Sequence, residues 1–137
     1  MKKRRKYILH LLYIIYVLNV LYITSCGNAT PEEKASLAAK GYYEHLLRGE
    51  YEQFLQGKAG ADSLPKDYQE QLLAGYRQFM AQQEKVHHGI HEVRIANAKS
   101  DTVLHYTNVF LVLCFGDSTN EQVAVPMVEL NGSWRMK

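Results

Sequence analysis

The sequence predicts an α+β domain in which two or three amino-terminal helices pack on an antiparallel sheet of three to four strands. Three observations carry that expectation. Apolar residues recur at spacings of three and four from Ala35 to Met80, the period of a half-buried helix. From His91 onward they alternate, the period of a strand. Near the end, Asn131-Gly132 lies between two apolar runs and marks a tight hairpin. A meander of strands leaves one sheet face to cover, and the preceding helices are the available cover.

Thr30-Pro31-Glu32-Glu33 has the chemistry of a helix start. Thr30 can cap, Pro31 suits the first turn, and Glu33 completes a capping box. The helix should run to about Arg48 with Ala35, Ala38, Tyr42, His45 and Leu46 on its apolar stripe, and Gly49 should stop it. Residues 50–56 read as a short second helix bearing Tyr51, Phe54 and Leu55, and residues 58–63 read as a loop. A third helix is expected from Pro65 to about Gln83, with a stripe of Tyr68, Leu72, Tyr76, Phe79 and Met80. Gly75 inside it implies close contact with another element, since alanine there would be better by about 1 kcal/mol. A strand follows, with His91, Val93 and Ile95 on one face, and a turn is expected at residues 98–101. Residues 102–115 and 121–130 read as the next strands, and residues 133–136 as a short last one. Pro126 argues for an edge or bulge at its position. Trp134 should pack across the last hairpin and close the core.

The chain has 137 residues, enough for one domain. Its charge is unevenly placed. Five of the 16 Lys and Arg stand at positions 2–6, and residues 26–137 carry 11 basic against 14 acidic side chains, about −3. A mildly acidic domain argues against nucleic acid as a partner. Two cysteines exclude a disulfide framework and a multi-cysteine zinc site. Lys2 to Lys6 followed by the apolar run Tyr7–Thr24 has the layout of an export signal. Hydropathy alone leaves a signal anchor open, because the run is near the shortest length that spans a bilayer. Ile23-Thr24-Ser25-Cys26 resembles the lipobox of bacterial lipoproteins, with Cys26 as the acylated thiol. That resemblance divides the chain into a signal peptide (1–25), a lipidated cysteine with a short tether (26–29) and a domain (30–137). It implies export to a bacterial cell envelope and anchorage to the outer membrane, on its periplasmic or its surface face.

Two further motifs carry a second resemblance. The run Tyr42-Tyr43-Glu44-His45-Leu46-Leu47-Arg48-Gly49-Glu50-Tyr51-Glu52 and the ending Asn131-Gly132-Ser133-Trp134-Arg135-Met136 resemble the small NTF2-like, or cystatin-like, lipoproteins of Bacteroidetes of the DUF4878 type. The likeness covers residues 30–137. It implies a curved sheet wrapped around a long helix, a cone with room for a pocket. The fold hosts isomerases, dehydratases and binding modules, so it implies no single chemistry.

The remaining residues point to no reaction. There is no Ser-His-Asp order, glycine-rich phosphate loop or paired-carboxylate spacing. If residues 100–101 centred the first hairpin, His105 would oppose Ala96 and His91 would oppose Phe110, and with His87 and His88 no three imidazoles would converge on a metal. Cys114 reads as a small buried hydrophobe. Tyr42, His45, Tyr76, His91 and Tyr106 are the candidates to line a cone interior, with Tyr43 beside them. No cofactor is implied. The reading is a non-enzymatic accessory domain that binds a small ligand or an envelope protein. The alternatives are an isomerase- or hydratase-like enzyme using a His/Tyr-lined pocket, and a homodimeric structural envelope protein.

Overall fold

The computed structural model describes residues 1–21 and 27–137. Cys26 and the three residues before it in the lipobox-like motif lie outside the described residues. Helix α1 spans Lys2–Leu21, and no helix among the described residues is long and apolar enough to cross a membrane. The domain then runs α2 (Pro31–Leu47), α3 (Tyr51–Gln56), a single 3₁₀ turn (Ala61–Ser63), α4 (Lys66–His87), β1 (Ile90–Asp101), β2 (Tyr106–Phe115), β3 (Asn120–Leu130) and β4 (Ser133–Met136). The four strands form one antiparallel sheet in chain order.

The start of α2 follows from its sequence. Thr30 Oγ1 accepts the Glu33 N–H at 3.2 Å while Glu33 Oε2 accepts the Thr30 N–H at 3.1 Å, so two otherwise orphaned donors are satisfied. Its buried face is Ala35, Ser36, Ala39 and Leu46, and the first three are small enough to let the helix lie close on the sheet. Ala38, Tyr42 and Tyr43 are partly buried against the core, and His45 is displaced to its margin.

In β2 every second residue faces the helices. Thr107, Val109, Leu111, Leu113 and Phe115 are buried, and Phe110, Val112 and Cys114 point to the other face. Val93 of β1, Val125 and Met127 of β3 and Met136 of β4 complete the sheet's contribution to the core. Cys114 is therefore half-buried on the outer face and not a core residue; the alternation of β2 places it there, and the Arg94 guanidinium donates to its Sγ at 3.0 and 3.2 Å.

Three expectations are corrected. Helix α4 continues to His87, one turn past Gln83, and ends where His88 (φ 58°) and Gly89 (φ 84°) turn left-handed. The first hairpin turns at residues 102–105, not at 98–101. Asp101 Oδ1 accepts the N–H groups of Val103 and Leu104 at 2.9 and 2.8 Å, which closes the turn four residues later than composition suggests. Ser100 then pairs with Thr107 and Asn97 with Phe110. Finally, β1 is bulged twice, between Ile90 and Glu92 and between Ile95 and Asn97, so His91 and Ala96 are the extra residues. Val93 and Ile95 both lie between the bulges, opposite Leu113 and Leu111, and share one face; Val93 is buried there, whereas Ile95 is exposed along a groove that it lines with Ser36 and Leu37.

Pro126 sits at an edge, as expected. Strand β4 pairs only with residues 127–130 of β3, and the Pro126 carbonyl, aimed to the β4 side, accepts only the Lys137 N–H at 2.8 Å. The missing proline donor points the same way, where the ladder has ended. Beyond β4, Lys58 forms a parallel bridge to Met136, with Met136 N–H donating to the Gly57 carbonyl at 2.8 Å and Ala59 N–H to the Met136 carbonyl at 2.7 Å.

Candidate functional site

The short β4 leaves residues 120–125 of β3 without a neighbour on that side among the described residues, and side chains from three helices line the gap. Tyr43 of α2, Phe54 of α3 and Tyr76 of α4 line a cavity of about 260 Å³ there, with Ala124, Val125 and Pro126 of the strand. The three rings stack edge to face in sequence, Tyr43 to Phe54 at 5.4 Å and Phe54 to Tyr76 at 4.9 Å between centroids. Such contacts hold the rings in fixed orientations. Burial pushes both tyrosine hydroxyls above their ordinary pKa, so they are hydrogen-bond donors and not bases. Lys58 and Lys137 supply the cavity's charged side chains.

Of the sequence-derived candidates, Tyr43 and Tyr76 line this cavity, and the others are dispersed around it. Tyr42 lies under the last hairpin, its hydroxyl donating to the Trp134 carbonyl at 2.8 Å, and the ring fills the space a side chain at Gly57 would need. Trp134 packs against the core, as expected, with a buried indole N–H that has no partner among the described residues. His45 Nδ1 meets the Glu50 carboxylate, and Arg48 donates to both oxygens of Glu50 at 3.1 Å. Arg48 first, and His45 second, hold the Glu50 carboxyl down at about 2. Tyr106 stands at the base of the β1–β2 turn with Lys137 Nζ 5.1 Å from its ring centre.

The histidines at the α4–β1 junction serve the joint. His87 stacks on Phe115 with centroids 4.5 Å apart, and its Nδ1 is 2.8 Å from Asp117 Oδ2. Thr119, then His87, hold the Asp117 carboxyl well below the usual range. His88 caps α4, and His91 is the bulged residue beside Gly116, lining a separate shallow cavity with Glu44, Leu47, Arg48 and Ile90. Among the described residues no group of three or more His, Cys, Asp or Glu side chains is placed to hold a metal ion.

Tyr43 and Tyr76 are legible in the sequence as interior candidates and Phe54 as an apolar helix residue. The open β3 edge is not. That edge depends on where β4 stops, and the only advance signal was Pro126, which cannot donate to a further strand.

The element order and sheet are those of an NTF2-like α+β fold. A solved structure from Campylobacter jejuni, described provisionally as an NTF2-like transpeptidase, matches with a TM-score of 0.58, covering 72% of this chain and 92% of that one at 11% identity. Identity that low speaks for the fold alone. No family model matches the sequence, and no curated protein matches it.

Proposed function

We propose that this chain is an exported, lipid-anchored bacterial envelope protein of the DUF4878 type, and that its NTF2-like domain is a non-enzymatic module that binds a small ligand. The observation that carries the binding reading is the aromatic cavity beside the open edge of β3. Three interlocked rings give it an apolar wall, two tyrosine hydroxyls offer donors, and Lys58 and Lys137 favour an anionic end on the ligand. A small aromatic or apolar carboxylate fits that chemistry. Against catalysis stands the engagement of His45 by Glu50 and Arg48, outside the cavity. Glu50 and Asp117, whose pKa values are strongly lowered, are held in ion pairs elsewhere.

The anchoring reading draws on Lys2 to Lys6, the apolar helix after them and the lipobox-like Ile23-Thr24-Ser25-Cys26. Only residues 27–30 then separate the lipid from α2, which keeps the domain near the bilayer.

Titrating the full chain in detergent with benzoate and with indole-carboxylate tests the binding reading. Saturable chemical-shift changes at Tyr43, Phe54 and Tyr76, weakened about tenfold or more by Tyr76→Ala, are the expected result. Shifts confined to other surfaces, or none, would overturn it.

A further inference from the structure

At the end of the domain where the chain arrives from its amino terminus, four large aliphatic side chains stand in solvent. Val103 and Leu104, at the tip of the β1–β2 turn, are 81% and 61% exposed. Leu37 and Ile95, 64% and 39% exposed, line a groove of about 420 Å³ together with Ala29 of the tether. Glu32 joins the two features, since it lines the groove and its carboxylate accepts the Ser100 hydroxyl just before the turn. Tether, groove and turn therefore share one end of the molecule.

Nothing in the turn's own geometry asks for Val and Leu. Asp101 closes it through backbone N–H groups, which would do equally well with polar residues at 103 and 104. What that closure does achieve is to satisfy the N–H groups of Val103 and Leu104, so that neither of these donors is left unpaired when the two side chains leave water. The surrounding charges suit the same setting. Lys99 is exposed on β1, and the Tyr106–Lys137 pair at the hairpin base is the combination that settles at headgroup level. Three acidic groups at this end are engaged locally: Glu32 by Ser100, Glu33 by Thr30 and Asp101 by the turn.

We propose that this end of the domain lies against the phospholipid bilayer, with Val103 and Leu104 inserted at the acyl boundary. The inference rests on the lipid-anchored reading for the choice of bilayer as occupant: residues 27–29 are all that separate the groove from the segment that enters the membrane. The anchor holds the chain at the surface, and the hairpin tip adds a second, weaker contact that fixes the domain's orientation. The aromatic cavity would then keep a constant bearing relative to the membrane.

The test uses the full chain carrying Trp134→Phe and Leu104→Trp, reconstituted into phosphatidylethanolamine–phosphatidylglycerol vesicles with brominated acyl chains. Insertion predicts a blue-shifted indole emission that bromine quenches by about a factor of two or more. An indole quenched by aqueous iodide and untouched by bromine would overturn the inference, and Val103→Trp repeats the measurement if the first variant folds poorly. Intact mass of the same sample separates the two proposals. An acylated chain with an iodide-accessible indole defeats the docking alone, whereas an unacylated chain that is bromine-quenched defeats the anchor and leaves the docking standing.

Discussion

Glu50 sits where Arg48 and His45 converge, and its carboxyl is held down at about 2 from an ordinary value of 4.5. A depressed folded-state pKa contributes stability that is fully present above the unfolded value and is lost as pH falls through the folded one. The melting temperature of the native chain should therefore exceed that of Glu50→Gln at neutral pH. The difference should shrink between about pH 4.5 and pH 2 and vanish below. All three groups are well exposed, so the gap should be small and should narrow further in high salt. Two glycines make opposite predictions. A methyl group at Gly57 would sit 2.5 Å from the Tyr42 ring, which cannot swing away because its hydroxyl is bonded to Trp134. Gly57→Ala should lower stability by about 1–3 kcal/mol in urea titration. Gly75 has open space around it, so the close contact its sequence position implies does not exist. Gly75→Ala should raise stability by about 0.5–1 kcal/mol through helix propensity alone.

Helix α4 is the loosest element of the domain. None of its 22 residues is buried, and Tyr68, Phe79 and Val86 are largely exposed, although the helix carries a clear apolar stripe. Strand β2, by contrast, lies between two partners and contributes five buried side chains. Native-state hydrogen exchange should accordingly show the amides of α4 opening at lower free energy than those of β2. Equal protection in the two elements would contradict this. Because Tyr76 belongs to α4, the aromatic cavity has one compliant wall, which suits a ligand that enters from the side of the open β3 edge. The elements also differ in how readable they were. The capping box of α2 and the Asn131-Gly132 hairpin were legible because local chemistry decides them. The two bulges of β1 were not, since an extra residue costs nothing in the alternation pattern until a partner strand fixes the register.

At the scale of the molecule, the division of charge between a basic amino terminus and a mildly acidic domain accords with an exported chain whose folded part works outside. If the lipid reading holds, intact mass of the membrane-extracted protein should show residues 1–25 removed and a diacylglyceryl-modified Cys26. Cys26→Ser should release the domain from the membrane or leave the precursor uncleaved. An uncleaved, unacylated native chain would defeat that reading.

The sequence by itself determined the α+β class, the order of the elements, the α2 cap and the last hairpin, because each rests on contacts within a few residues. Only the tertiary structure decided the site. Tyr43, Phe54 and Tyr76 come from three helices that pack ring on ring, and the point at which β4 ends leaves the edge of β3 open beside them. In the same way His45, His91 and Tyr106, whose local sequence carries no signal of position, were parted by a helix margin, a bulge and a late turn. Periodicity tells a residue which face it takes, while register tells it whom it meets, and register is a property of the assembled sheet.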